Sequence, residues 1–155
     1  MHRYAYSFES KIGKINIYQI ENKIVRIEYN EDMIANSYEM EVTPLIKKTV
    51  NELEEYFNGD RKMFTIPIGL SGTEFQIKVW NELLKIPFGE TKTYREIAKS
   101  IGNDKAYRAV GGANNKNPIP IIVPCHRVVG ADKSLVGYKG GLDIKKALLE
   151  IEKIY

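Results

Sequence analysis

The chain of 155 residues contains a single cysteine, Cys125, and only two histidines, His2 and His126. One cysteine cannot form an intramolecular disulfide, and no group of Cys and His residues has the spacing of a zinc site. No stretch approaches the roughly 20 apolar residues that cross a membrane, and the first residues lack the apolar run of a secretory signal. The sequence therefore predicts a cytoplasmic protein with no metal site and no membrane contact.

The composition of the chain is that of an ordinary globular protein, but its charge is unevenly distributed. Hydrophobic residues make up 43% of it and charged residues 28%, which is enough to build a core. Residues 1–70 carry a net charge of −2, whereas residues 71–155 carry +5. We expect two domains with these bounds, because residues 69–73 look like a connector. The basic half is compatible with phosphate binding, but so small a charge does not identify a nucleic-acid-binding protein.

The N-terminal half predicts a small antiparallel β-sheet with one helix. Residues 30–41 are polar and predict a loop. Thr43 is a good N-cap and Pro44 suits the first helical position, so a helix is expected to run to the stop at Asn58-Gly59. The predicted strands are short, rich in β-branched and aromatic residues and separated by close turns, and they cover 3–8, 12–20, 24–29 and 64–68.

The middle of the C-terminal half predicts a helix-turn-helix. Thr93 is a suitable N-cap, and Glu96 three residues later completes a capping box for a helix that runs to Ser100. A glycine-bearing turn then precedes a second helix over 105–115. Two helices packed on a core would show the same pattern without touching DNA. However, the second helix is rich in Ala and Gly, so another backbone could approach it closely, and Arg108 lies among these small residues.

Two further helices and a glycine-rich loop complete the predicted elements of this half. One helix is expected from Thr73 to the Pro87 region. The loop covers residues 137–141, and a last helix begins at Asp143. Helical spacing predicts that the buried stripe of this last helix consists of Ile144, Ala147, Leu148 and Ile151.

The only cysteine follows an apolar run that is stiffened by prolines. Prolines at 118, 120 and 124 argue against a central strand, so we expect an extended segment that fixes the position of Cys125. A free cysteine is often a buried small hydrophobe, but positive charge beside it favours a reactive thiolate. On an extended segment His126 would point away from the sulfur. Glu150 and Glu152 are both candidates for the carboxylate that orients this histidine.

The order and spacing of several motifs resemble those of the O6-alkylguanine-DNA alkyltransferases, also called methylated-DNA–protein-cysteine methyltransferases. The resemblance extends from Thr73 to Glu152, and residues 1–70 match only in general form. The matching blocks are Phe75-Gln76, Val79-Trp80 with Leu83, Ile86-Pro87-Phe88-Gly89, Thr93-Tyr94 with Ile97-Ala98, Arg108-Ala109-Val110-Gly111 with Ala113-Asn114, Asn117-Pro118, Pro124-Cys125-His126-Arg127-Val128, and Gly137-Tyr138 with Gly140-Gly141-Leu142.

The resemblance implies a fold and a reaction. The fold would be α+β, with an RNase H-like N-terminal domain and a mostly helical, winged-helix-like C-terminal domain. Cys125 would take the alkyl group from guanine O6 of a flipped-out nucleotide, irreversibly and once per molecule. His126 would act as a base through a water, and Glu152 would orient it. Asn117 would brace the surrounding turn, and Tyr94 would help to rotate the nucleotide out and donate to guanine N3.

The resemblance also implies how DNA and the base are bound. Arg108 would fill the gap in the duplex, and the partner would be the minor groove of double-stranded DNA that contains O6-alkylguanine. No cofactor is needed, and we expect a monomer. The implied DNA contacts are Arg108, Tyr94, Arg95, Asn103 and Gln76, and the implied pocket residues are Val128, Gly137, Tyr138 and Lys139. Lys139 stands where several relatives carry serine, so the range of alkyl groups is expected to differ.

Three alternatives predict different behaviour. A non-enzymatic relative that only binds alkylated guanine usually has tryptophan in place of the cysteine, so Cys125 argues against it. A plain helix-turn-helix regulator explains residues 93–115 but gives no role to the Cys-His-Arg block. A cysteine hydrolase predicts repeated turnover and gives no role to Arg108.

Overall fold

The computed structural model describes residues 2–132, 134–138 and 140–154, which form two compact units. The first unit ends at Leu70 and the second begins at Ser71. Each unit has its own core, and the two are described separately.

The first unit is a four-stranded sheet with one helix. Strands β1 (Arg3–Ser10), β2 (Gly13–Ile20) and β3 (Lys23–Tyr29) form the predicted antiparallel meander. Helix α1 (Pro44–Phe57) packs on these strands, and the Thr43 side chain accepts a hydrogen bond from the Ile46 N–H at 3.0 Å as a predicted N-cap. Their shared core is apolar and fully buried, and it includes Ile15, Ile17, Ile27, Ile46, Leu53 and Tyr56.

Two predictions for the first unit were wrong in detail. The expected loop over 30–41 contains a short strand β4 (Glu39–Met40), which pairs in parallel with β1, so the sheet is mixed. Both residues of β4 are exposed, and an exposed pair carries no hydrophobic pattern that would reveal it. The expected strand over 64–68 is reduced to a single bridge between Ile68 and Ile24, since Pro67 lacks the N–H that a ladder needs.

The second unit is mostly helical. Helices α2 (Glu74–Leu83), α3 (Tyr94–Ser100) and α4 (Tyr107–Asn115) pack against one another, and Trp80 Nε1 donates to the Ala113 carbonyl at 2.9 Å to link α2 with α4. The two-residue strands β5 (Lys92–Thr93) and β6 (Val128–Val129) pair in parallel. Because β5 leads directly into α3, this pair joins the helix-turn-helix to the segment that carries Cys125.

The Thr93–Glu96 capping box is confirmed: Glu96 N–H donates to Thr93 Oγ1 at 3.1 Å, and Thr93 N–H donates to Glu96 Oε1 at 2.9 Å. Helix α4 begins at Tyr107, two residues later than predicted, and α2 ends at Leu83, before the predicted Pro87. Within the described ranges, every helix is too short or too polar to span a lipid bilayer.

The last helix, α5 (Leu142–Ile151), buries a different face from the one that the sequence predicted. Its buried residues are Lys145, Leu148 and Leu149, followed by Glu152 at the C-cap, whereas Ile144, Ala147 and Ile151 are only half-buried. The spacing of the buried set is that of one helical face. The apolar pattern gave the wrong face because two charged residues belong to the buried side.

Candidate active site and nucleic-acid interface

The segment before Cys125 is a tight turn, so the prediction of an extended segment was wrong. Val123 N–H donates to the Ile119 carbonyl at 2.9 Å, and Ile121 has φ of 76°, a left-handed conformation that is rare for a β-branched residue. Asn117 closes the turn: its Nδ2 donates to the Val123 carbonyl at 2.8 Å, and its Oδ1 accepts from Ile119 N–H at 3.0 Å. These hydrogen bonds compensate the backbone strain at Ile121 and fix the position of the chain just before Cys125.

Cys125 opens a 3-10 turn, Cys125–Arg127, and its side chain is buried. A 3-10 turn has three residues per revolution, so the side chains of Cys125 and His126 diverge around its axis. Burial raises the pKa of the thiol, and hydrogen bonds from Asn117 and Tyr138, together with the charge of Lys145, partly oppose that rise. The sulfur is therefore enclosed in a polar shell that favours the thiolate more than an apolar core would.

His126, Arg127 and Glu152 form a buried charged cluster behind the thiol. His126 Nε2 lies 2.6 Å from Glu152 Oε2, and Arg127 donates through Nε to Oε1 at 2.8 Å and through Nη2 to Oε2 at 3.1 Å. Gly89 N–H also donates to Glu152 Oε1 at 3.0 Å, and Arg127 Nη1 donates to the Ile86 carbonyl at 2.7 Å. Glu152, rather than the exposed Glu150, is thus the carboxylate that contacts the histidine.

The electrostatics of this cluster are nearly balanced. Burial alone would raise the pKa of Glu152, but the hydrogen bonds and charges of His126 and Arg127 outweigh it and lower that pKa to about 2. Burial lowers the pKa of His126, although Glu152 opposes the effect. A neutral His126 whose Nε2–H donates to Glu152 has Nδ1 as its basic nitrogen. At neutral pH the cluster therefore pairs the Arg127 cation with the Glu152 anion, and the imidazole of His126 is neutral.

Tyr94 and Asn114 lie on the helix-turn-helix side of the thiol. Tyr94 donates its hydroxyl to the Val136 carbonyl at 3.2 Å, and burial and the charge of Cys125 raise its pKa. Asn114 Nδ2 donates to the Cys125 carbonyl at 3.2 Å, while its Oδ1 accepts no hydrogen bond from the described residues and is buried. An unsatisfied buried acceptor costs about 1–3 kcal/mol, so a donor such as water or a bound molecule is expected at this oxygen. Asn114 belongs to a block that matches the family, but sequence reasoning gave it no role.

Lys145 is a second residue that sequence reasoning missed. Its side chain is fully buried, and Nζ donates to the Val128 carbonyl at 2.7 Å and to the Val136 carbonyl at 3.0 Å. Burial lowers the pKa of Lys145 to about 8, and the charge of Cys125 opposes that fall. The signal that could have found it is the helical spacing of Lys145, Leu148, Leu149 and Glu152, which places a lysine on the inward face.

The predicted DNA contacts lie on α3, α4 and the turn between them, apart from Gln76 on α2. Arg95 and Arg108 are exposed, and both guanidinium groups lie over the Tyr107 ring, at 5.0 and 6.0 Å from its centroid. Asn103 is exposed in the turn. Gln76 Oε1 accepts from Thr73 N–H at 2.9 Å as part of the α2 capping box, so a phosphate contact would fall to its Nε2.

Two of the predicted pocket residues contact the cysteine: Tyr138 hydrogen-bonds to the thiol, and the Val128 N–H donates to the Cys125 carbonyl. Val128 is fully buried, with its carbonyl bound by Lys145, and the Tyr138 side chain is nearly buried and bonds to the thiol. Gly137 is exposed and has φ of 39°, which favours glycine. Lys139 lies outside the described residues. Among the described residues, no cluster of His, Cys, Asp and Glu could bind a metal ion.

Comparison with known proteins gives a consistent family. Residues 74–154 match the DNA-binding domain of 6-O-methylguanine DNA methyltransferase, and residues 3–70 match its ribonuclease-like domain. The chain is 48% identical over 149 residues to the methylated-DNA–protein-cysteine methyltransferase of Methanosarcina acetivorans, covering 94% of this chain and 95% of the relative. It is 42% identical to the constitutive enzyme of that name from Bacillus subtilis, covering 97% and 96%.

Solved structures agree with these relatives. The structure of Mycobacterium tuberculosis OGT in complex with DNA superposes with a TM-score of 0.90 at 42% identity, covering 97% of this chain and 92% of that one. An O6-methylguanine DNA methyltransferase from Methanococcus jannaschii gives a TM-score of 0.71 at 34% identity, covering 96% and 93%. The two domain matches together span nearly the whole chain, and this protein belongs to the 6-O-methylguanine DNA methyltransferase family.

Proposed function

We propose that this protein repairs DNA directly by transferring the alkyl group of O6-alkylguanine to Cys125. The observation that carries the proposal is the position of the buried thiol. It lies between a helix-turn-helix on one side and the His126–Glu152–Arg127 cluster on the other. A DNA-binding element and a polarised nucleophile thus meet at one point, and relatives in this family are named for this transfer.

The reaction follows from the groups around the sulfur. The Cys125 proton passes through a water to His126 Nδ1, and Glu152 orients the ring for this transfer. The thiolate then attacks the alkyl carbon in line, an S–C bond forms, and the C–O6 bond breaks with its electron pair going to the guanine. The guanine anion takes up one proton from the solvent and becomes normal guanine, while His126 releases the thiol proton to the solvent. Since a thioether is a very poor leaving group, Cys125 stays alkylated and the molecule acts once.

The target base must leave the duplex before the sulfur can reach it. Extruding a base costs a few kcal/mol, and groups that replace it in the stack offset part of that cost. Arg108, which is exposed on α4, would fill the gap, and Tyr94 and the Asn114 acceptor would contact the extruded base. The Val128 carbonyl, Gly137, Tyr138 and Lys139 would line its other edge. Arg95, Asn103 and Gln76 would contact phosphates.

The slim face of α4 favours the minor groove. Arg108 shares this exposed face with Ala109 and Gly112, whose small size keeps this part of the helix surface thin. The minor groove is narrower than the major groove that admits an ordinary recognition helix, so a slim helix suits it. We also infer that the protein acts as a monomer in the cytoplasm. One molecule supplies both the DNA-binding helices and the thiol, and the single free cysteine suits a reducing compartment.

The experiment that tests this function measures stoichiometry. The protein is incubated with duplex DNA that contains O6-methylguanine labelled in its methyl group. We expect one equivalent of label on the peptide that contains Cys125, and unmodified guanine in the DNA. Cys125→Ser should take up no label, and a duplex labelled on N7-methylguanine should transfer none. Turnover beyond one equivalent would indicate a true catalyst such as a hydrolase, and tight binding without transfer would indicate the non-enzymatic alternative.

Gly112→Leu tests the slim face of α4. A Cβ at this position meets no atom within 4 Å, and glycine inside a helix costs about 0.8–1.0 kcal/mol relative to alanine. We therefore expect an unchanged or higher melting temperature. Transfer from duplex DNA should nevertheless fall several-fold, because the larger side chain thickens the face beside Arg108. Reaction with the free O6-alkylguanine base is the control and should keep the wild-type rate; an equal loss on both substrates would contradict the minor-groove arrangement.

A further inference from the structure

The side chain of Asn114 is a buried amide whose two polar atoms differ in their hydrogen bonding. Asn114 lies on the inward face of α4 and is 2% exposed. Its Nδ2 donates to the Cys125 carbonyl at 3.2 Å, whereas its Oδ1 accepts no hydrogen bond from the described residues. Because a carbonyl can only accept, the atom that faces it must be the amide nitrogen, so the orientation of the amide is fixed. The unsatisfied acceptor is therefore a feature of the site.

Two main-chain acceptors near Asn114 are already fully used. A carbonyl oxygen has two lone pairs, and the Cys125 carbonyl accepts from Asn114 Nδ2 and from the backbone N–H three residues later. The Val136 carbonyl likewise accepts two hydrogen bonds, from the Tyr94 hydroxyl at 3.2 Å and from Lys145 Nζ at 3.0 Å. A donor on a base held beside Cys125 would therefore meet Asn114 Oδ1 as an acceptor without a competing partner.

The base of the proposed substrate has one group that can satisfy this oxygen. Alkylation of O6 removes the proton from N1, so N1, N3 and N7 are all acceptors. The exocyclic 2-amino group is then the only hydrogen-bond donor of the base. Enzymes that act on an extruded base read it through hydrogen bonds to its Watson–Crick edge, where this amino group lies. The acceptor on the protein and the donor on the base are thus complementary.

We propose that Asn114 is a specificity-determining residue: its Oδ1 accepts a hydrogen bond from the 2-amino group of the extruded O6-alkylguanine, while its Nδ2 holds the Cys125 carbonyl. This role rests on the proposed function and assigns a base atom to a side chain. A 6-alkoxypurine without the amino group leaves Oδ1 buried and unsatisfied, so it is rejected. One amide thereby links the identity of the base to the position of the nucleophile's backbone.

The test compares two duplexes that differ in one amino group. One contains O6-methylguanine and the other O6-methylhypoxanthine, the same base without the 2-amino group, and both carry a labelled methyl group. We expect the wild-type protein to take up label at least about tenfold faster from O6-methylguanine. Asn114→Ala should slow this reaction but barely change the other, so the preference should fall to about twofold. Since both proteins meet the same duplexes, differences in base-pair strength cancel between them.

Further variants separate the acceptor from the donor and from the fold. Asn114→Asp keeps an acceptor but loses the donor, so it should retain the preference while slowing both reactions, because its negative charge disfavours the thiolate. Asn115→Ala removes an exposed amide at the next position of α4 and should keep the wild-type preference. If circular dichroism shows that Asn114→Ala does not fold, Asn114→Leu replaces it, since leucine has a similar branched shape and no polar atom.

Four outcomes would overturn the role of Asn114. They are equal wild-type rates on the two duplexes, an equal loss on both in Asn114→Ala, a preference that survives in Asn114→Ala, and a preference lost in Asn114→Asp. The second would indicate a purely structural residue, and the third would assign the amino group to a main-chain acceptor such as the Val128 carbonyl. Each of these leaves transfer from O6-methylguanine by the wild type intact. Absence of that transfer would instead refute the proposed function, and this role with it.

Discussion

Glu152→Gln is expected to lower the free energy of unfolding by about 3–5 kcal/mol, the range for removing one partner of a buried ion pair. The side chain of Glu152 has no exposure, and it accepts hydrogen bonds from His126 and Arg127 at 2.6 and 2.8 Å. Glutamine has nearly the same shape but leaves Arg127 buried without a counter-charge. Urea unfolding at pH 7 measures the change. Glu150→Gln, an exposed residue on the same helix, is the matched control and should change stability by less than about 0.5 kcal/mol.

The same variant predicts a pH dependence with a definite sign. The pKa of Glu152 is lowered to about 2 in the folded protein, below its ordinary value of 4.5. Its contribution to stability is therefore complete above pH 4.5 and is lost as pH falls toward 2. Wild-type stability should decline over this window more steeply than that of Glu152→Gln, which has no carboxyl group to protonate. Parallel curves for the two proteins would show that the charge of Glu152 contributes little.

Alkyl transfer by Glu152→Gln should also be slow at temperatures where the variant remains folded. The amide cannot stabilise the Nε2–H tautomer of His126 as a carboxylate does, so the basic nitrogen is no longer directed reliably at the thiol proton. The rate is best compared at a low temperature after circular dichroism has confirmed folding. A wild-type rate under those conditions would assign Glu152 to stability alone.

Arg108→Ala is expected to slow repair of duplex DNA by about tenfold to hundredfold, because base extrusion costs a few kcal/mol and each 1.4 kcal/mol is a factor of ten. Arg108 is exposed on the slim face of α4, and Tyr107 holds its guanidinium group 6.0 Å from the ring centroid. The arginine is thus partly ordered before DNA binds, which reduces the entropy lost on insertion. Transfer rates are measured with a duplex and with the free O6-alkylguanine base.

The free base needs no extrusion, so its reaction with Arg108→Ala should stay within about twofold of wild type. Lys116→Ala is the control for loss of a positive charge, since Lys116 is exposed just beyond the end of α4. It should weaken duplex binding modestly and reduce its salt dependence, as expected for a phosphate contact. If Arg108→Ala slows both substrates equally, or behaves like Lys116→Ala, Arg108 does not replace the extruded base.

Local sequence signals predicted the elements whose hydrogen bonds are local. Thr93 and Glu96 are three residues apart, so the capping box and the start of α3 could be predicted from the sequence. The three strands of the meander were also predictable, because each pairs with the next strand in the sequence across a close turn. In contrast, β4 pairs with a strand about 35 residues earlier, and no pattern in two exposed residues reveals such a partner.

The sequence by itself determined the family, the two kinds of unit and the block that contains Cys125, since these depend on residue order and spacing. The tertiary structure decided what surrounds the sulfur. The turn before Cys125 exists because Asn117 bonds to Val123 and Ile119, and the rotation of α5 selects Glu152 over Glu150 and turns Lys145 inward. Lys145 can be buried because two carbonyls accept its hydrogen bonds, and Glu152 can be buried because Arg127 and His126 contact its carboxylate. That compensation is a property of the assembled fold, so the apolar pattern of α5 alone predicted the wrong face.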